Sequence, residues 1–150
     1  MSLLTLPLEP YQLALLEEQR RAVLATLAAD GRARLVPITY AYDPDTGLLY
    51  SALDDKRKSV DDPRELARVR DIAVRPRVSV LVDRWSEDWS RLAWLRLDGE
   101  ATLLEPADHA EEHAWALHLL RGRYPQYASH SLAQRPVVRV EITGVAGWSA

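Results

Sequence analysis

The chain has 150 residues, of which 47% are hydrophobic, and we expect one compact domain over residues 1–150. It contains no cysteine, which excludes disulfides, thiolate metal sites and cysteine nucleophiles. The net charge of -3 disfavours a general nucleic-acid binder. No apolar run approaches the length of a membrane span, and the N-terminal segment, interrupted at Pro7, lacks the basic start of a signal peptide. We therefore expect a soluble, cytoplasmic protein with no nucleic-acid or membrane partner.

The first third of the chain predicts one helix followed by three antiparallel strands. Apolar residues recur at helical spacing over residues 8–21. The strands are predicted over residues 22–28, 32–42 and 48–53. Asp30 and Gly31 separate the first two strands, and an Asp-Gly pair predicts a tight hairpin turn with positive φ at both central positions.

A second helix is predicted over residues 63–74 because its start carries several signals. Asp62 can cap the first turn, Pro63 suits the first helical position, and Glu65 completes the spacing of a capping box. Leu66, Val69 and Ala73 are predicted to form its apolar stripe.

The remaining elements are a strand over residues 78–82, a loop over 83–91, a strand over 92–104, a helix over 106–123 and a strand over 137–145. Gly99 marks a bulge or a close backbone approach in the longest of these strands. The order of elements predicts a protein that is mainly β with helices (α+β), built as a six-stranded antiparallel barrel.

The helix over 106–123 contains a sequence that matches an inverted zinc-protease pattern. His109 and His113 are four positions apart and have Glu112 between them. A helical wheel places both histidines on the side of Leu117 and Leu120, which is expected to face the core. The pattern is short and lacks a third ligand, so a structural role is favoured and no metal site is predicted.

Known nucleophile and nucleotide motifs are absent, whereas one basic cluster stands out. Arginine outnumbers lysine 17 to 2, and the two lysines flank Arg57 in the sequence Lys56-Arg57-Lys58-Ser59. Three cations and a hydroxyl between a strand and a helix can bind a phosphate. Four acidic residues flank the cluster and offer local salt bridges, so the residues alone also fit a solvated charged loop.

The tryptophans form a second distinctive group. Trp85, Trp89 and Trp94 lie within ten residues, and Trp148 stands near the C-terminal end of the chain. Tryptophan is common in cores and in subunit interfaces, and a planar cofactor held between chains would use the same residue type. The spacing alone leaves these interpretations open.

Six stretches together resemble the pyridoxamine-phosphate-oxidase-like flavin and deazaflavin proteins, the split β-barrel family, and in particular its coenzyme F420 branch. The resemblance covers nearly the whole chain. Its stretches are AVLATLAADG (22–31), LVPIT (35–39), LYSALDDKRKS (49–59), DIAVRPRVSVLVD (71–83), EDWSRLAWLRLDGEA (87–101) and GWS (147–149). The sequence departs from the branch at Arg57, where proline is expected, and at Ala93, where a second tryptophan is usual.

The resemblance implies an F420-dependent oxidoreductase that works as a homodimer, with the cofactor held between the subunits. Hydride would pass from the reduced deazaflavin to a small-molecule acceptor. The residues implied to contact the cofactor are Val36, Pro37, Ile38 and Thr39 along the ring, Ser51, Lys56, Arg57 and Lys58 at the phosphate, and Trp148 from the partner chain. The acceptor side is expected among Trp85, Trp89, Trp94 and residues 124–127.

No catalytic residue is assigned. Tyr50, Arg96 and His130 are candidates for a proton donor. Two alternatives remain within the same fold: an FMN-dependent oxidase or reductase, and a protein that binds a flavin or F420 without turning it over. Ala93 in place of tryptophan predicts a wider pocket.

Overall fold

The computed structural model describes residues 7–54 and 61–150, and one seven-stranded antiparallel sheet dominates this part of the chain. The strands are β1 (Ala22–Leu27), β2 (Ala33–Ile38), β3 (Ala41–Asp43), β4 (Leu48–Ala52), β5 (Arg77–Arg84), β6 (Ala93–Leu104) and β7 (Val137–Ser149). The helices are α1 (Pro10–Glu18), α2 (Ala67–Val74) and α3 (Ala110–Arg123), with 3₁₀ turns at Pro63–Glu65, Trp89–Arg91 and Pro125–Ser129. The sheet order is β2-β1-β5-β6-β7-β4-β3.

The prediction of a mainly β antiparallel protein is confirmed, but the prediction of six strands is wrong. The strand expected over residues 32–42 divides into β2 and β3 at Thr39 and Tyr40. The amide of Tyr40 donates to the Tyr124 hydroxyl (3.1 Å), and its own buried hydroxyl donates to the carbonyl of Leu16 (2.7 Å). Because the amide of Tyr40 bonds to a side chain instead of to a neighbouring strand, the strand is interrupted at this residue and a seventh strand results.

The connection between β2 and β3 shows that the sheet is curled. The two strands lie at opposite ends of the strand order, yet only Thr39 and Tyr40 separate them. Three extended residue steps span at most about 11 Å. The two ends of the sheet are therefore close together, and the sheet forms the curled half-barrel of a split-barrel fold.

The buried residues form two hydrophobic clusters on either side of this half-barrel. The first lies inside the sheet and is covered by α1 and α2, with Leu24, Val80, Leu95 and Leu97 fully buried. The second lies between α3 and the pair β3–β4.

The turn at Asp30-Gly31 differs from the tight hairpin that the sequence predicts. Gly31 has a φ of 85°, but no residue other than glycine has a positive φ in the described part of the chain. The amide of Gly31 donates to the carbonyl of Ala28 (3.0 Å), and the amide of Ala28 donates to the carbonyl of Arg32 (2.9 Å). Only the glycine takes the left-handed conformation, as in a three-residue hairpin loop with a glycine bulge.

The bulge predicted at Gly99 is confirmed. The register between β6 and β7 shifts between Asp98 and Gly99. A Cβ at position 99 would lie 2.4 Å from the carbonyl oxygen of Glu141 and 2.8 Å from the Cγ1 of Val140. The close approach of the two backbones therefore requires glycine here.

The helices are shorter than predicted. Asp62 caps the chain before α2 by accepting from the amide of Arg64, with a 3₁₀ turn in place of the predicted helical turn. The buried face of α2 uses Val69 and Ile72, whereas Ala73 is exposed, because α2 itself begins only at Ala67. No helix in residues 7–54 or 61–150 is long and apolar enough to cross a membrane.

The two histidines of the zinc-protease pattern do not share a face. The prediction that His109 faces the core is wrong, because α3 begins only at Ala110 and His109 is exposed as its N-cap. His113 is buried, and its Nε2 donates to the carbonyl of Arg135 (2.6 Å). His113 therefore joins α3 to the segment before β7.

Candidate functional site

The predicted ring-binding residues lie on an edge strand. Within the described residues β2 pairs with β1 alone, so its other edge presents backbone amides and carbonyls. Pro37 has no amide to donate and fits an edge position. Val36 and Ile38 pack towards the core, whereas Pro37 is exposed and Thr39 is half-buried. A ligand along β2 would thus meet backbone groups and the side chains of Pro37 and Thr39.

A polar network joins the end of β2 to the end of β4. Ser51 donates from its hydroxyl to the carbonyl of Thr39 (2.7 Å), and the hydroxyl of Thr39 lies 2.5 Å from that of Tyr127. The hydroxyl of Tyr127 in turn donates to Oδ2 of Asp54 (2.7 Å). The structure therefore brings together Thr39 and Ser51, two of the residues predicted from the sequence, and adds Tyr127 and Asp54.

Ser51 is held inside this network. Its side chain is 3% exposed, and its one proton is already donated to the backbone of Thr39. A phosphate offers only acceptors at neutral pH, so Ser51 would have to exchange its present partner in order to donate to one. In this structure its role is to hold the strand end against β4.

Lys56, Arg57 and Lys58 lie outside the described residues, but both flanks of their segment are described. Asp54 precedes it and is bound by Tyr127. On the other side, Arg64 forms a two-pronged ion pair with Glu105 (2.8 and 2.7 Å) and donates to the carbonyl of Gln134 (3.1 Å). Asp54, the last described residue before the segment, therefore contacts Tyr127, which in turn contacts Thr39 at the end of the predicted ring-binding strand.

The electrostatics of Tyr127 follow from its surroundings. Burial raises the pKa of its hydroxyl, the hydrogen bond with Thr39 lowers it, and the hydrogen bond to Asp54 raises it, with a higher pKa as the net result. Tyr127 therefore keeps its proton at neutral pH. From the sequence, Tyr127 is expected in the connector after α3 and on the acceptor side, and nothing in the local pattern shows that it contacts Asp54.

Several exposed apolar side chains lie on the outer face of the sheet. The register of the strands aligns five residues across the sheet: Pro37, Val23, Leu81, Arg96 and Ala146. Trp94 lies opposite Trp148, two residues further along β6 and β7 and on the same face. This outer face carries five exposed large hydrophobic side chains: Leu27 (43%), Leu35 (67%), Leu81 (40%), Trp94 (37%) and Trp148 (48%). The same face also carries Ser79, Arg96 and Asp98, so these apolar side chains lie among polar ones.

Trp148 lies far from Ser51 within one chain. Ser51 pairs with Val138 near the start of β7, and Trp148 lies ten residues further along the same strand. At roughly 3.3 Å per residue the two positions are about 33 Å apart along the strand. Within one chain, Trp148 is therefore remote from Ser51 and the polar network.

The other predicted positions are dispersed. Trp85 and Trp89 are exposed in the β5–β6 connection, close to Trp94, whereas Tyr124 and Tyr127 are buried. The sequence analysis therefore assigns to one acceptor side several residues that have different environments in the structure. Ala93 is buried in the hydrophobic core.

The three proton-donor candidates also differ. The hydroxyl of Tyr50 donates to Glu112 beneath α3, and burial raises its pKa. Arg96 is on the outer face, 3.3 Å from Asp98. His130 packs edge-on against the ring of Tyr127. Of the three, His130 is the one in contact with the polar network.

Three surface depressions are lined by other residues. They have volumes of about 710 Å³ beside His113 and Arg121, 600 Å³ on the outer face beside Ser79 and Asp98, and 660 Å³ between α1 and α3. The predicted residues are thus distinguished by their polar network and the exposed face beside them rather than by these depressions.

Comparison with known proteins identifies the family. Residues 8–149 match the family model of pyridoxamine 5'-phosphate oxidase, and the chain belongs to this family. The family includes oxidases and reductases. The resemblance seen in the sequence is confirmed at this level. No curated protein matches the sequence significantly.

Solved structures show the same fold at low identity. A conserved hypothetical protein from Mycobacterium tuberculosis has 19% identity and a TM-score of 0.72, over 97% of this chain and 88% of the other. An FAD-binding protein from Mesorhizobium loti has 24% identity and a TM-score of 0.65, over 93% and 94%. An F420 reductase has 21% identity and a TM-score of 0.64, over 94% and 98%.

Proposed function

We propose that this protein is an F420-dependent oxidoreductase that binds its cofactor between two copies of the chain and transfers a hydride to a small organic acceptor. The observation that carries the proposal is the network of Thr39, Ser51, Tyr127 and Asp54. This network joins the end of β2, whose outer edge is unpaired among the described strands, to Asp54, which precedes the basic segment 56–58 in the sequence. A ring along β2 and a phosphate on the lysines would then belong to one ligand.

The residues present fit a flavin-type cofactor. The unpaired edge of β2 offers backbone donors and acceptors to the polar edge of a ring, and Pro37 offers a flat apolar contact. Lys56, Arg57 and Lys58 supply charge for a phosphate. Bound here, a reduced deazaflavin supplies the hydride, while the protein orients the ring and excludes water.

The position of Trp148 supports the proposal that a second copy of the chain contributes to the site. Four strand spacings of about 4.8 Å separate Pro37 on β2 from Ala146 on β7, two residues before Trp148, so one chain does not bring Trp148 against its own β2 edge. The outer face, with its exposed apolar side chains and with Trp94 and Trp148 at one end, is the surface that a second copy would cover. Its pairing would bring Trp148 to the partner's β2 edge.

The first experiment is a titration of cofactor-stripped protein with F420 and, separately, with FMN, followed by tryptophan fluorescence. Tighter binding of F420 supports the proposal. Tighter binding of FMN would move the protein to the FMN-dependent alternative. Binding of neither would remove the cofactor-based function altogether. Turnover with reduced F420 and a panel of acceptors then separates the oxidoreductase from a protein that only binds the cofactor.

The phosphate assignment is tested by Lys56→Ala combined with Lys58→Ala. Each lost charge-assisted hydrogen bond should cost about 1.5–3 kcal/mol of binding free energy. Arg32→Ala combined with Arg121→Ala removes the same charge from exposed positions elsewhere and is the matched control. Equal affinity in the lysine variant and the control variant would contradict the assignment.

The interface is tested by Leu81→Arg at the centre of the outer face. Leu81 is 40% exposed, and Leu13 on α1 is 39% exposed, so Leu13→Arg is a matched control. Light scattering should show a dimer for the wild type and for Leu13→Arg, and a monomer for Leu81→Arg. A dimer that persists in Leu81→Arg would place the interface elsewhere.

A further inference from the structure

The two flanks of segment 55–60 attach to one short stretch of the chain. The guanidinium of Arg135 donates to the carbonyl of Leu53, just after β4 (3.4 Å). The guanidinium of Arg64, just before α2, donates to the carbonyl of Gln134 (3.1 Å). Leu53 and Leu66 also belong to the same hydrophobic cluster. Because Gln134 and Arg135 are consecutive, the end of β4 and the start of α2 lie in one region of the structure.

Arg68, in the first turn of α2, belongs to this region. Its side chain is half-buried, whereas that of Arg70, two residues later, is exposed. Burial lowers the pKa of Arg68, and the negative charge of Asp54 raises it by a smaller amount. Asp54 itself is only 5% exposed at the end of β4. The guanidinium of Arg68 therefore lies within range of the Asp54 charge and is partly withdrawn from solvent.

Arg68 has unused hydrogen-bond donors, unlike other half-buried arginines. Arg84 lies 3.0 Å from the carboxylate of Glu18, and Arg139 lies 2.7 Å from that of Glu112. Within residues 7–54 and 61–150, the guanidinium of Arg68 makes no hydrogen bond and no ion pair. A guanidinium carries five N–H donors, and withdrawing donors from water without new partners costs free energy. An anion that accepts from Arg68 would offset this cost.

We propose that Arg68 binds the phosphate group of the cofactor. The inference rests on the proposed function, in which the lysines of segment 56–58 bind the same phosphate. Phosphate oxygens match the planar fork of a guanidinium and can accept two of its N–H groups at once. Lys56 and Lys58 follow Asp54 by two and four positions in the sequence, so further cations flank the carboxylate that acts on Arg68. Arg68 is outside the basic cluster that the sequence indicates and is found through its burial.

The test uses two deazaflavin ligands that differ by a phosphate alone, the ribityl 5'-phosphate and the ribityl alcohol. The ratio of their dissociation constants, measured by tryptophan fluorescence, gives the contribution of the phosphate to binding. In Arg68→Met the preference for the phosphate form should fall by about ten- to hundred-fold, the range expected when a charge-assisted hydrogen bond is lost. The affinity for the ribityl alcohol should stay unchanged, because this ligand has no phosphate for Arg68 to bind.

Arg70→Met is the matched control, because it removes the same charge from the same helix at an exposed position. Its preference for the phosphate form should equal that of the wild type. If Arg68→Met does not fold, Arg68→Lys takes its place in the test. Lysine keeps the charge but not the planar fork, so the preference should fall by about five-fold, the equivalent of one ordinary hydrogen bond.

The outcomes separate this inference from the proposed function. A wild-type preference in Arg68→Met, or in Arg68→Lys where only that variant folds, overturns the inference, while binding of both ligands leaves the proposed function in place. An equal fall in Arg70→Met also overturns it, because the effect would then be one of overall charge. Equal affinity of the wild type for the two ligands overturns the inference together with the phosphate assignment of the lysines. A wild type that binds neither these ligands nor F420 overturns the proposed function as well.

Discussion

Replacing Gly99 by alanine should destabilise the junction of β6 and β7. The new Cβ would lie 2.4 Å from the backbone oxygen of Glu141, about 0.6 Å inside the 3.0 Å limit below which real Cβ contacts are essentially never found. The second contact, 2.8 Å to Val140, is with a side chain in the core. Because a paired backbone carbonyl cannot rotate away, we expect the upper end of the overpacking range, about 3 kcal/mol.

Thermal unfolding followed by circular dichroism measures this cost. For a chain of this size, about 3 kcal/mol corresponds to a fall in Tm of roughly 6–12 °C. Gly122→Ala is the control, because α3 leaves open space at that position and alanine there should stabilise by about 0.5–1 kcal/mol. A Gly99→Ala variant within about 0.5 kcal/mol of the wild type would refute the steric argument.

Three further predictions concern stability. Arg123→Met should cost about 2–3 kcal/mol in denaturant unfolding, because its guanidinium donates to carbonyls at the end of α1 and lies 4.9 Å from the ring of Tyr40; an unchanged midpoint would contradict this. Burial alone raises the pKa of Asp71, but hydrogen bonds, chiefly from Arg34, outweigh it and lower the pKa below 3.8. The free energy of unfolding that the wild type gains over Asp71→Asn should thus be complete above pH 3.8 and lost as the pH falls through the lower folded-state pKa. Urea titrations of both proteins at neutral pH and at about pH 2 should show this stability difference shrinking. A stability difference that stays constant would argue against the role of Asp71. Gly31→Ala should cost about 1 kcal/mol from its φ of 85°, and Gly31→Asn less, as thermal melts can compare.

Much of the fold could be predicted because strands and turns have local signals. The run from residue 92 to 104 and the glycine within it correspond closely to β6 and its bulge. The break at Tyr40 could not be predicted in this way. It depends on Tyr124, which is 84 residues away, and on the carbonyl of Leu16 in α1. Local periodicity contains no information about such partners.

The candidate site was predictable to a similar extent. The resemblance indicated Thr39 and Ser51, which the structure joins by a hydrogen bond. It did not indicate that Tyr127 and Asp54 complete the network, because their contact spans 73 residues. The histidines of α3 show the opposite error, since a helical wheel assigns a face to His109 although the helix begins after it.

The position of β7 in the sheet has a consequence for how the protein folds during synthesis. β7 pairs with both β6 and β4 and follows every other described strand in the sequence. Until the ribosome has released it, β3 and β4 lack their connection to the rest of the sheet, and the half-barrel has unpaired strand edges. Such edges pair readily with other chains. We therefore expect the emerging chain to depend on chaperones or on slow translation more than a helical protein of equal length does. The reason is that the contacts of β7 with β6 and β4 form last.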